Sequence, residues 1–254
     1  RLGIPDWKLD SGKKAAFLGP SGSGKTTLLR LLAGILKPDA GRAELGGQNL
    51  RNLNDANRRA FRIQNVGFVF QDFRLVEYLN VRENLLLPFR INNALPMEAA
   101  EGLEALAESL GIAEHLEKYP DELSQGEKQR VAIGRALLTK PRLVLADEPV
   151  SALDVSIQSQ ILNLLLELRN ELDLTMLFIS HDLSVVRYLA DNIAVMNAGK
   201  IVEYGPADVV FNSPENAYTQ KLLAAIEIGH QATCLSNQQN TCCHIPRFEP
   251  HLPE

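Results

Sequence analysis

Apolar residues fall along the chain in two alternating kinds of run. Ala15-Ala16-Phe17-Leu18, Leu143-Val144-Leu145-Ala146 and Thr175-Met176-Leu177-Phe178-Ile179 are short unbroken blocks, the mark of strands buried on both faces. Between and around them lie stretches with apolar residues at helical spacing, at 28–33, 155–171 and 182–189. Asn65 to Phe70 reads as a further strand, rich in aromatic and β-branched residues and stopping at Gln71-Asp72. Gly41 to Leu45 with the turn Gly46-Gly47, and Ile193–Met196 with Ile201–Tyr204 around Ala198-Gly199, read as short strands joined by tight turns. The alternation predicts an α/β fold: a parallel sheet between helices, with a small antiparallel β portion.

From about 73 to 140 the pattern turns helical. Asn80 to Leu87, Pro96 to Leu110 and Gln125 to Leu138 are the expected helices, and Leu103, Leu106 and Leu110 share one face of the second. This block is read as a helical subdomain inserted in a core that runs over residues 1–228. Residues 229–254 are rich in Gln, Asn, Pro and His without periodicity, and are expected to form a flexible tail.

Composition narrows the class. A chain of 254 residues, 45% hydrophobic and 22% charged, is of ordinary globular type. Its net charge of −5, with 26 basic against 31 acidic residues and no dense Lys/Arg block, argues against nucleic acid as the main partner. No apolar run nears the roughly 18 residues that a membrane-spanning helix needs, and the first residues lack a secretory-signal pattern. Cys234, Cys242 and Cys243 all lie in the tail, so the body is expected to suit a reducing compartment. With His244 these cysteines could hold zinc or an iron–sulfur cluster. Two of them are adjacent and no Cys-x-x-Cys occurs, which favours a mobile tail.

The chemistry gathers around Gly19-Pro20-Ser21-Gly22-Ser23-Gly24-Lys25-Thr26-Thr27, between the first apolar block and a helix. Strand, glycine-rich turn, Lys-Thr and helix are the context of a phosphate-binding loop. Backbone amides and the helix N-terminus form an anion cradle, Lys25 suits the β- and γ-phosphates, and the Thr26 hydroxyl suits Mg²⁺. Asp147-Glu148 closes the strand Leu143 to Ala146 and precedes Pro149. Asp147 stands where Mg²⁺ needs a ligand, and Glu148 where it could take a proton from an attacking water. His181 follows the strand ending Phe178-Ile179-Ser180. A lone histidine there is commonly a capping or structural residue, but its place at a strand's carboxyl end favours a γ-phosphate contact. Gln71 ends its strand in the same way, and its amide could orient water or coordinate Mg²⁺. Leu123-Ser124-Gln125-Gly126-Glu127 opens a helix. Ser124 reads first as an N-cap, yet Gly126 gives up helix propensity as though its backbone must lie close to something, and that helix end could meet a phosphate.

Together these segments resemble the ATP-binding cassette (ABC) ATPases over about residues 13 to 227. Gly19 to Thr27 looks like Walker A, Leu143 to Glu148 like Walker B, and Gln71 like the Q-loop. Leu123 to Glu127 is similar to the signature motif, Ser151-Ala152-Leu153-Asp154 to the D-loop, and His181 to the switch histidine. The resemblance implies a P-loop NTPase (RecA-like) core and an ATPase with ATP and Mg²⁺ at its site. Glu148 is then the general base. Lys25 and His181 hold the phosphates, and Thr26, Asp147 and Gln71 manage the metal. It further implies a head-to-tail homodimer, or a heterodimer with another ABC ATPase, in which Ser124, Gly126 and Asp154 of one chain face the other's nucleotide. Transmembrane permease subunits would dock on the helical block, placing the chain peripherally at the cytoplasmic face of the inner or cell membrane.

The chain departs from that pattern in three places. The signature reads Leu-Ser-Gln-Gly-Glu instead of Leu-Ser-Gly-Gly-Gln. The aromatic residue that stacks on adenine from an N-terminal strand is not seen, since the chain begins after that point, and Trp7 is out of place for it. Finally, residues 1–149 resemble the branch serving lipoprotein release, macrolide export and cell division, while 150–227 resemble the dipeptide and oligopeptide importers. A fused or recombined chain and ordinary divergence both fit. The cargo expected is either lipoprotein, lipid or drug-type export or peptide import.

Overall fold

The computed structural model describes residues 2–4, 6–91, 95–96, 100–172 and 174–225. The expected tail, with Cys234, Cys242, Cys243 and His244, lies outside the described residues.

Six strands form the main sheet: β1 (Lys14–Leu18), β4 (Val66–Val69), β5 (Leu143–Asp147), β6 (Thr175–Ile179), β7 (Asn192–Asn197) and β8 (Lys200–Pro206). Their order is β4-β5-β6-β1-β7-β8, parallel throughout except for the β7–β8 hairpin. The unbroken apolar blocks are central strands, and their alternate residues enter two separate cores. Ala15 and Phe17 of β1 pack with Leu143, Leu145, Leu177 and Ile179 on one face. Ala16 and Leu18 pack with Val144, Ala146, Met176 and Phe178 on the other. A period of two with both faces covered is what makes these strands read as continuous hydrophobic runs.

The first face carries α1 (Lys25–Leu32), through Leu28 and Leu29. The other is covered by α6 (Val155–Leu172) and α7 (Leu183–Leu189), whose Ile161, Leu165 and Val186 join its core. The hairpin of β2 (Glu44–Leu45) and β3 (Gln48–Asn49) is a separate two-stranded sheet. A short α8 (Ala207–Asn212) follows β8.

Between the neighbouring strands β4 and β5 the described chain is helical: α3 (Val81–Arg90), α4 (Leu103–Ser109) and α5 (Gln125–Leu137). Two elements differ from the sequence reading. The helix expected from Pro96 begins only at Leu103, because Gly102 caps it in a left-handed conformation, with φ of 100°. And α2 (Asp55–Asn65) has no counterpart in that reading, because it is strongly polar overall and buries no residue fully, so few apolar residues mark it.

Candidate nucleotide site

The sheet order places β5, β6 and β1 side by side, so the segments leaving their carboxyl ends meet at one edge. The Gly19–Thr27 loop leaves β1 and enters α1. At Gly19, with φ of 147°, an added Cβ would lie 2.2 Å from the Met196 carbonyl oxygen of β7, so only glycine fits. Gly24 takes φ of 101° as the residue before α1, with no side chain to cap the helix. The Ser23 carbonyl accepts from the Gly199 amide at 3.0 Å, which ties the loop to the β7–β8 turn.

Lys25 Nζ donates to the carbonyls of Gly19 at 2.7 Å and Pro20 at 2.9 Å, and so curls back over the loop. Burial pulls its ammonium below the usual lysine range, while Glu148 and Asp147 pull the other way. Asp147, the last residue of β5, accepts a hydrogen bond from the Thr26 side chain. Burial nonetheless raises its carboxyl above the usual range, and the nearby Glu148 charge adds to the effect. A partly desolvated carboxylate bonded to a hydroxyl is a hard-oxygen pair suited to Mg²⁺. No group of three or more His, Cys, Asp or Glu able to hold a metal occurs among the described residues.

Glu148 sits at φ of 50°, a left-handed conformation that is costly for a side chain of this size. Its amide donates to the Ile179 carbonyl at 3.0 Å, and the Glu148 carbonyl accepts from Ser151 Oγ at 3.1 Å. Thus fixed, its Oε1 lies 3.4 Å from Nδ1 of His181, whose side chain is 70% exposed. His181 occupies the turn after β6, ahead of α7, which Asp182 caps by accepting from the Ser184 amide at 2.7 Å. The expected set Lys25, Thr26, Asp147, Glu148 and His181 is therefore assembled within the chain.

Gln71 is exposed in the turn after β4. Val69 pairs with Ala146, so Gln71 leaves its strand at the same level as Glu148 on the adjacent one. Ser124 and Gly126 stand elsewhere. Ser124 is exposed and caps α5, exchanging hydrogen bonds with Glu127. An added Cβ on Gly126 would come within 2.9 Å of Ile157 on α6, so the close neighbour its backbone needs is found inside the chain. Asp154 is exposed just before α6, where its carbonyl accepts from the Gln158 amide. Trp7 packs against Phe17 and Tyr204, with ring centroids 5.5 and 5.9 Å apart, away from the loop.

Two side chains that the sequence reading passed over connect α5 to this edge, and a third meets the first turn of α5. Gln129 is fully buried and its amide donates to the carbonyl of Pro149, directly after Glu148. Arg135 donates to the carbonyls of Phe73 at 2.8 Å and Arg74 at 2.6 Å, two residues held at positive φ just past Gln71. His115 meets Glu127 at 2.9 Å. None belongs to a motif; for Gln129 and Arg135 the one available signal was a polar residue falling on an otherwise apolar helix face, and His115 offered no such signal.

The chain is similar over most of its length to ATP-binding proteins of importers. It is 41% identical over 216 residues to the methionine import ATP-binding protein MetN 2 of Lactiplantibacillus plantarum, covering 85% of this chain and 63% of that protein. It is 40% identical over 221 residues to the glutathione import ATP-binding protein GsiA of Escherichia coli K12, of which only 35% is spanned. To the di/tripeptide transport ATP-binding protein DppF of Pseudomonas aeruginosa it is 39% identical, with 88% of this chain and 70% of that one aligned. In three dimensions it superposes on an ATP-binding cassette solved as a dimer in a post-hydrolysis state with ADP and Pi. The TM-score is 0.68 and the identity 32%, over 79% of this chain and 88% of the other. Residues 2–151 match the family described as ABC transporter, and by that match and these relatives the chain belongs to the ABC transporter family.

Proposed function

We propose that the chain binds and hydrolyses ATP as the nucleotide-binding subunit of a membrane importer. One juxtaposition supports this most: Lys25, Thr26, Asp147, Glu148 and His181 converge from three adjacent strands on the loop Gly19–Thr27. The loop amides take the triphosphate, and Lys25 exchanges the two carbonyls it now caps for β- and γ-phosphate oxygens. Thr26, Asp147 and Gln71 would hold Mg²⁺, which when bound supplies positive charge against those same oxygens. Glu148 takes a proton from the attacking water as general base, and His181 beside it contacts the γ-phosphate.

Ser124 and Gly126 do not reach this loop within one chain. They complete the site from a second copy, or from another ABC ATPase, packed head to tail, with Asp154 at the same interface. Binding closes the pair and hydrolysis releases it, so ATP switches between two interface states. The helical block at about 73–140, within an ATPase domain at 1–228, receives transmembrane permease subunits. No described helix is long and apolar enough to cross a membrane; bound to such permeases, the subunit would sit peripherally on the cytoplasmic face. The names of the relatives favour import over export, and DppF favours a peptide cargo.

Phosphate release and sizing of the purified protein with Mg-ATP test the reading. Turnover per chain should rise with protein concentration and increase further with permease-containing proteoliposomes but not with DNA. A protein that stays single under saturating Mg-ATP yet hydrolyses at full rate overturns it.

A further inference from the structure

Glu127 is where the signature motif departs in charge: a carboxylate stands where the family pattern has a neutral amide. At a helix end meant to meet another chain's triphosphate, that negative charge is unfavourable unless it is turned aside. Both of its oxygens are engaged. Oε2 accepts from the Ser124 amide at 2.6 Å, while Ser124 Oγ accepts from the Glu127 amide at 3.3 Å, closing a capping box. Oε1 lies 2.9 Å from Nε2 of His115, whose side chain is only 17% exposed.

His115 belongs to the short 3-10 turn Ala113–His115, outside α5. Its Nδ1 is buried without a hydrogen-bond partner among the described residues, so Glu127 is what holds this ring. Glu127 is held below the usual carboxylate range, first by its bonds with Ser124 and to a smaller degree by the nearby His115 and Lys118.

We propose that His115 is a positioning residue for ATP hydrolysis: by fixing Glu127 it sets the Ser124 helix end and keeps the carboxylate off the partner copy's triphosphate. The proposal rests on the reading that Ser124 and Gly126 face the nucleotide of a second copy. Without the imidazole, one carboxylate oxygen loses its donor and can swing toward the phosphates, which opposes closure of the pair. Nucleotide binding by a single copy, through Lys25 and the loop amides, is untouched.

In H115A the KM for Mg-ATP should therefore rise roughly three- to tenfold, the scale of losing one ordinary net hydrogen bond. Binding of a fluorescent ATP analogue by dilute protein should not change. H115Q, a neutral donor of similar reach, should restore most of the KM, and so should H115A combined with E127Q, which has no charge left to misplace. H115N, too short to reach Glu127, gives the same test should the alanine variant melt below the assay temperature. An unchanged KM in H115A and H115N, or failure of both H115Q and H115A/E127Q to restore it, overturns the proposal. If the unaltered protein instead shows the same turnover per chain at every protein concentration, it is the second-copy reading that falls.

Discussion

His181 Nδ1 stands 3.4 Å from Glu148 Oε1 although the two residues lie on different segments, one past β5 and one past β6. The register creates this meeting. Asp147 lies opposite Ile179, and Glu148, turned to φ of 50°, donates its amide back to the Ile179 carbonyl. Its side chain is thereby aimed across the sheet edge at the turn that carries His181. A carboxylate and an imidazole so placed can hold a water between them and the phosphate that Lys25 is proposed to reach.

Replacing Glu148 by Gln keeps shape and hydrogen bonding but removes the base. Turnover should fall about 10²–10⁴-fold while Mg-ATP still binds, and the closed pair should accumulate. Phosphate release together with sizing reads both; unchanged turnover removes Glu148 from the role given to it.

Asp147→Asn should separate stability from function. Burial raises the Asp147 carboxyl in the folded chain, so the folded state holds its proton more tightly than the unfolded one. Its contribution is intact below the unfolded value of about 3.9 and is lost as pH rises through the folded one. At neutral pH the buried charge is therefore a cost that Asn lacks. Without nucleotide, Asp147→Asn should melt higher at pH 7.5 and lose that advantage as the pH drops toward 4. Mg²⁺-dependent nucleotide binding should weaken at the same time. A lower melting temperature at pH 7.5 contradicts the burial argument.

Two glycines of the loop should differ sharply in tolerance. Gly19→Ala drives a Cβ to 2.2 Å from a strand carbonyl, whereas at Gly22, with φ of 77°, nothing lies within 4 Å of an added Cβ. The first should cost about 2–4 kcal/mol. The second should cost only the left-handed penalty of about 1–2 kcal/mol. Urea unfolding of both variants checks the order.

Gln129→Leu leaves the Pro149 carbonyl without its donor, a loss of about 1–3 kcal/mol. It also removes the buried Gln129 Oε1, which has no partner among the described residues, so the net cost should sit near the lower end. Because Pro149 adjoins Glu148, turnover should fall more than stability alone explains. Unfolding and phosphate release measured on one preparation decide this.

Some of the molecule was legible from local pattern. Phe17, Leu145 and Phe178 sit in unbroken apolar runs because their strands are covered on both faces, so the central sheet could be read without coordinates. The Gly19–Thr27 loop was equally plain, since strand, glycine-rich turn, Lys-Thr and helix follow one another in sequence, although what forces Gly19 itself is the Met196 carbonyl on β7. The polar helix α2 escaped, because the face it half-buries carries Arg58, Phe61, Arg62 and Asn65, mostly charged or polar, instead of an apolar stripe.

What the chain's order of residues determined by itself was therefore whatever depends on near neighbours: strand and helix periods, the loop's torsions, and the acids that end β5. Which strands adjoin, and so that Glu148 meets His181, Thr26 meets Asp147, and Gln129, Arg135 and His115 brace the segments around them, only the tertiary structure decided. The reason is physical. A hydrogen bond between distant segments depends on strand order and register, which are set by packing summed over the whole core and leave no local trace at the residues that make the bond.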